Sequence, residues 1–120
     1  MKKLFISQPM NGLTDEEILN TRQNILNEVK SKVDDDKIIL IDSFITEEPK
    51  SKNIPLWYLA KSIELLSEAD IAYFGKGWQD ARGCLIEYVC AKNYGVKIIL
   101  SEFYPHKTII GKRLDAGLWD

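Results

Sequence analysis

The chain has 120 residues, 45% apolar and 28% charged. That composition excludes a linker or disordered chain and predicts one domain able to bury about two-thirds of its unfolded surface. Sixteen Lys plus Arg stand against 18 Asp plus Glu, a net charge of -2, so the basic excess that holds proteins on duplex nucleic acid is missing. No apolar run approaches the roughly 20 residues needed to cross a bilayer. Met1-Lys2-Lys3 is followed by too short an apolar stretch for a signal peptide, so a cytoplasmic protein with no membrane partner is expected.

Cys84 and Cys90 lie six apart on one predicted helix, point in different directions and do not suit a bridge. With His106 as the single histidine, neither a zinc cluster nor a histidine-dependent triad has the residues it needs. No metal and no cofactor is expected.

Short apolar runs alternate with longer segments of helical period, the pattern of a parallel sheet with helices on both faces. Leu4 to Ser7 reads as the first strand, and Asn11-Gly12 as a turn. Thr14 and Glu17 have capping-box spacing, so a helix should start at Asp15. Its apolar face is Ile18, Ile25, Leu26, Val29 and Val33, and Asp34-Asp35-Asp36 should end it. Lys37 to Asp42 reads as a fully buried strand, and Ser43 to Asn53 as a surface loop close to the site. Pro55 suits the first turn of a second helix with a buried stripe of Leu56, Leu59, Ala60, Ile63 and Leu66. Ile71 to Phe74 is the third strand. A third helix runs from about Asp80 to Tyr94, with Gly95 as a left-handed cap, and Val96 to Leu100 is the fourth strand. The last twenty residues are expected to pack across the sheet edge or to reach a second subunit.

In such a sheet, ligands bind beyond the carboxyl ends of the strands, where the strand order reverses. That rule selects Ser7 to Gly12, Asp42 to Phe44, and Gly75 to Gly83. Neither G-x-G-x-x-G nor G-x-x-x-x-G-K-[ST] occurs, which counts against dinucleotide redox chemistry and P-loop hydrolysis.

Most helical acids have a partner one turn away, as Glu28 has Lys32 and Glu64 has Lys61. Glu87 has none, because Gly83, Cys84, Cys90 and Ala91 occupy the positions three and four away. Near a helix start, backbone N-H groups favour its charge while apolar walls oppose it. That combination suits a nucleophile, although a surface glutamate at the border of the buried face has the same spacing. Ser7, Gln8, Pro9 and Met10 follow a strand, so their N-H groups could meet an anion or sugar hydroxyls, or simply form a connection. Gly77, Trp78, Asp80, Arg82 and Gly83 collect after the third strand. Trp78 is placed either to stack on a planar base or to act as a hydrophobic lid. Asp80 either handles a proton or caps the helix, and Arg82 either pairs with phosphate or is a surface charge.

Three stretches together carry a resemblance: Ile6-Ser7-Gln8-Pro9-Met10, Ser67-Glu68-Ala69-Asp70, and the run from Gly77 to Glu87 with its G-W-x-[DN]-[AS]-R-G-x-x-x-E spacing. Over about residues 4 to 100 the chain resembles the nucleoside 2-deoxyribosyltransferase-like superfamily, in particular its small bacterial and phage branch. The resemblance implies a flavodoxin-like parallel sheet of four to five strands. It also implies Glu87 as the nucleophile at an anomeric carbon, with a covalent sugar-enzyme intermediate. Two positions depart from that family. Many relatives carry an acid eight residues before the strand-three Asp, where this chain has Ser62, and a serine cannot protonate a leaving base. Many have glycine where this chain has Gln8.

Three functions are therefore expected to compete. The first is an enzyme of the nucleoside or nucleotide N-glycosidic bond, with Glu87 as nucleophile and Asp80 as the remaining acid. Ser7, Gln8, Pro9, Met10, Ser62, Gly77, Trp78, Arg82 and Gly83 would hold its substrate. The second is a nucleotide-binding module whose chemistry is lost at Ser62, and the third is an interaction domain of the same shape. Relatives complete each other's sites across subunits, so a homo-oligomer, dimer or higher, is expected, with Leu114, Leu118 and Trp119 as candidate contacts.

Overall fold

The computed structural model describes residues 1–33 and 37–101. In chain order its elements are β1 (Lys2–Ser7), α1 (Asp15–Val33), β2 (Ile38–Leu40), α2 (Ile54–Leu66), β3 (Ile71–Phe74), a 3-10 turn (Trp78–Asp80), α3 (Arg82–Asn93) and β4 (Lys97–Leu100). Side-chain alternation along the central strands divides the core in two. Leu4 and Ile6 of β1 join Ile71 and Tyr73 of β3 and meet Ile25 and Val29 of α1. Phe5, Ala72 and Phe74 point the other way, to Leu66 of α2 and to Cys84, Leu85 and Ala91 of α3. Burial on both faces is why these strands read as unbroken apolar runs.

All pairings are parallel, in the order β2-β1-β3-β4. The chain winds outward from β1 to β2 and returns to β3 on the opposite side of β1. Strand order therefore reverses between β1 and β3, as in a flavodoxin-like sheet, and a crevice opens beyond their carboxyl ends. Ser7 lies in register with Phe74, and the Gly75 amide donates to the Ser7 carbonyl at 2.8 Å. A side chain at Gly75 would stand 3.2 Å from Cβ of Gln8, so the close approach of the two strand ends calls for glycine there.

The capping box at the start of α1 is present. The Thr14 amide donates to Oε1 of Glu17 at 3.0 Å, and the Glu17 amide to Oγ1 of Thr14 at 3.2 Å. Asn53 caps α2 by accepting from the Leu56 amide at 3.0 Å. Gly95 has φ of 76°, the left-handed conformation expected where α3 ends. At the far end of β3, Oδ2 of Asp70 accepts from the Lys3 amide at 2.8 Å. Asp70 thereby ties the start of β3 to β1, a structural task at the opposite end of the sheet from the crevice.

Three expectations need correction. The second strand is shorter than Lys37 to Asp42 and is not fully buried, because β2 pairs only with β1 among the described residues and leaves Ile39 48% exposed. The third helix begins at Arg82, because a 3-10 turn occupies Trp78–Asp80. The stripe on α2 is buried only at Leu66, since Leu56 and Leu59 border the open crevice and Ala60 faces outward. Asp34-Asp35-Asp36 and the tail with Leu114, Leu118 and Trp119 lie outside the described residues. No helix among the described residues is long and apolar enough to cross a membrane.

Candidate functional site

At the carboxyl end of β1, the Ser7 hydroxyl donates to Oε1 of Glu87 at 2.6 Å. Glu87 reaches this point because α3 packs behind the β1 and β3 ends, and the small residues flanking it let the helix come close. Glu87 is 7% exposed and Ser7 2%. Glu87 lines the crevice, a cleft of about 850 Å³. Its floor includes Gln8, Cys84 and Glu87. One wall comes from α2 through Leu56, Leu59 and Ser62, and another from the segment after β2 through Ser43, Phe44 and Ile45. That segment is the surface loop expected close to the site.

Burial pushes the Glu87 carboxyl above its usual range, while hydrogen bonds from Ser7 and Ser62 and the charge of Arg22 work against the shift. The carboxyl is thus a partly desolvated base, which suits attack on a carbon centre. Cys84, also on the floor, has its thiol pushed up to about 11 by burial and by the neighbouring Glu87 charge, despite a hydrogen bond with Ser7. Such a thiol is almost wholly protonated at neutral pH and a poor nucleophile.

Arg22 is a site residue that the sequence reading missed. It sits 4% exposed on α1, with Nε donating to Oε1 of Gln8 at 3.1 Å and a terminal nitrogen to Sδ of Met10 at 3.8 Å. Its guanidinium lies 5.6 Å from the centre of the Phe44 ring. Desolvation lowers its pKa, and the charges of Asp42 and Glu87 hold it up. The signal was present in the spacing: Arg22 falls four residues after Ile18 and three before Ile25, inside the apolar stripe. A charged residue in a buried stripe calls for partners, and here they are the strand-one loop and the cleft.

The chain belongs to the family described as Domain of unknown function (DUF4406), which it matches over residues 2–100. That span ends with β4 and holds every element of the described sheet and every residue of the cleft. No curated protein and no solved structure matches this DUF4406 chain.

Of the residues named from sequence, Gln8, Pro9, Met10, Ser62, Arg82, Gly83 and Glu87 line the cleft, and Ser7 meets it through Glu87. Arg82 is the first residue of α3 and stands exposed at the rim. Three others fall elsewhere. Trp78 is 1% exposed, stacked on Tyr88 with ring centroids 4.7 Å apart and tilted against Phe74 at 5.4 Å. It is a core residue and offers no face to a ligand. Asp80 is exposed on the 3-10 turn, outside the cleft, and the cap of α3 is Ala81. Proton transfer in the cleft does not fall to it. Gly77 takes a left-handed φ of 82°, and a side chain there would come within 3.6 Å of Cγ of Pro9. It shapes the turn beneath the Pro9 loop and does not line the cleft.

Proposed function

We propose that the chain is an enzyme of the N-glycosidic bond of a nucleoside or nucleotide, a deoxyribosyltransferase-like transferase or a hydrolase, with Glu87 as nucleophile. The observation that carries this reading is a carboxylate 7% exposed on the floor of a cleft at the strand-order reversal, held by one hydroxyl at 2.6 Å. In the first step an oxygen of Glu87 attacks the anomeric carbon. The bond from that carbon to the base nitrogen breaks, and the base leaves with the electron pair. In the second step an incoming base or water attacks the same carbon and releases the carboxylate, so configuration is retained overall. The Ser7 and Ser62 hydrogen bonds and the Arg22 charge favour the ionised carboxylate that attacks. No acid of the chain lines the cleft beside Glu87 among the described residues, so the departing base takes its proton from water. Arg82 at the rim suits a phosphate on the substrate.

Ser62 in the cleft and Asp80 outside it also favour a second reading, a nucleotide-binding module with attenuated catalysis. One experiment separates the two. The protein is incubated with deoxynucleosides, ribonucleosides, their 5'-monophosphates and NAD, and free base is followed by chromatography beside a Glu87→Ala control. Base release that disappears in the control supports the enzyme. Ligand-induced thermal shifts without base release support the module.

A further inference from the structure

We propose that Ser43 and Arg22 form a hydroxyl-binding subsite for the sugar of the ligand at the carboxyl end of β2. This inference rests on the N-glycoside reading of Glu87. Ser43 is 9% exposed and lines the cleft, yet its Oγ has no hydrogen-bond partner among the described residues. A buried hydroxyl left unpaired is unfavourable, and it needs a reason. Serine has one heavy-atom torsion with three staggered wells, so turning its hydroxyl toward a ligand needs no backbone movement. The next residue, Phe44, lies under the Arg22 guanidinium at 5.6 Å, and Ser43 and Arg22 both line the cleft.

Arg22 has five N-H donors in a fixed fork. Gln8 and Met10 take two of them, and among the described residues no carboxylate pairs with it in contact. The chemistry of the occupant follows from the charges. Arg22 already feels both Asp42 and Glu87, one cation against two carboxylates, so a phosphate placed here would meet net negative charge. A neutral hydroxyl meets no such opposition. It accepts from the guanidinium and exchanges a hydrogen bond with Ser43, satisfying both residues.

The test is Ser43→Ala, which removes only the unpaired oxygen. Melting temperature is measured without ligand. Binding of adenosine, cytidine and their 2'-, 3'- and 5'-deoxy analogues is measured by calorimetry in a Glu87→Gln background, where no base is released. Ser43→Ala should melt at or above its parent. It should bind the fully hydroxylated nucleoside about threefold to tenfold more weakly, the worth of one neutral hydrogen bond. One deoxy analogue should bind parent and variant equally. A clearly lower melting temperature, or discrimination among the analogues that Ser43→Ala leaves unchanged, overturns the subsite and leaves the Glu87 reading standing. If the parent binds none of the nucleosides and the wild type releases base from none, the Glu87 reading falls and the subsite with it.

Discussion

The 2.6 Å hydrogen bond from the Ser7 hydroxyl to Oε1 of Glu87 joins residues 80 positions apart and fixes the carboxylate against the end of β1. One oxygen is oriented by that bond, and the same end of β1 supplies Gln8, which holds Arg22. The strand end thus organises both the Glu87 carboxyl and the cation that favours its charge.

Glu87→Gln should leave the unliganded protein as stable as the wild type, or more so, at pH 7. The Glu87 pKa is raised by burial above its unfolded value. Between the two values the native state holds more protons, so stability falls as pH rises through that window, and the cost persists above it. Glutamine keeps the acceptor for Ser7 without the charge. Thermal melts should show the advantage of the variant at pH 7 shrinking as pH falls from the raised native value to the ordinary carboxylate value, with no further change below it. A variant that melts clearly lower at pH 7 would show that the charge stabilises the fold.

Thiol reagents should leave Cys84 largely unmodified. With its thiol pushed up to about 11, roughly one molecule in a thousand is a thiolate at pH 8. Alkylation of the native protein at pH 8, read by peptide mass spectrometry, should be far slower at Cys84 than in the denatured chain. Cys84→Ala should retain base release, because the thiol does no chemistry in the proposed reaction.

Arg82→Ala should weaken 5'-nucleotides about tenfold or more while leaving nucleosides within about twofold, since a guanidinium-phosphate bond is charge-assisted. The side chain stands exposed at the cleft rim on the first residue of α3, so its loss should not disturb the core. Calorimetry with matched nucleoside and nucleotide pairs checks it. An equal loss for both would mean that Arg82 shapes the rim without meeting phosphate.

The sheet was legible because its strands are short apolar runs, and the caps at Thr14 and Gly95 are signalled by local chemistry or spacing. Glu87 was legible for a similar reason, since its small neighbours are set by helical spacing alone. Trp78 was not, because a tryptophan between glycines after a strand looks the same whether it turns toward a ligand or under the helix. Only the tertiary contacts with Tyr88 and Phe74 decide that. The α2 stripe misled for the converse reason: helical period marks an apolar face, and a cleft wall can use such a face as readily as a core can. The strand-end rule selected the segment that holds Ser43, but its unpaired hydroxyl emerges only when β2, α1 and the following segment are brought together.

Ser62 is the residue through which the proposed chemistry can be strengthened. It lines the cleft and is close enough to Glu87 to oppose the upward shift of its carboxyl, but a serine hydroxyl cannot protonate a leaving base near neutral pH. The wild-type protein should therefore be slow on ordinary deoxynucleosides and faster on substrates whose base leaves readily without a proton. Ser62→Asp would set a second carboxyl against Glu87 in a buried site. Two carboxyls that close titrate as a pair, and one stays protonated at a pH where an isolated carboxyl would be ionised. That shared proton is the missing acid, while the other carboxylate remains the nucleophile. Turnover of an ordinary deoxynucleoside should rise about a hundredfold, the usual scale of general acid assistance, with a bell-shaped pH dependence in the variant. Its rate should also depend less steeply on the leaving base across a series of substituted purines. Fast wild-type turnover with a shallow leaving-base dependence would instead mean that some other group already delivers the proton.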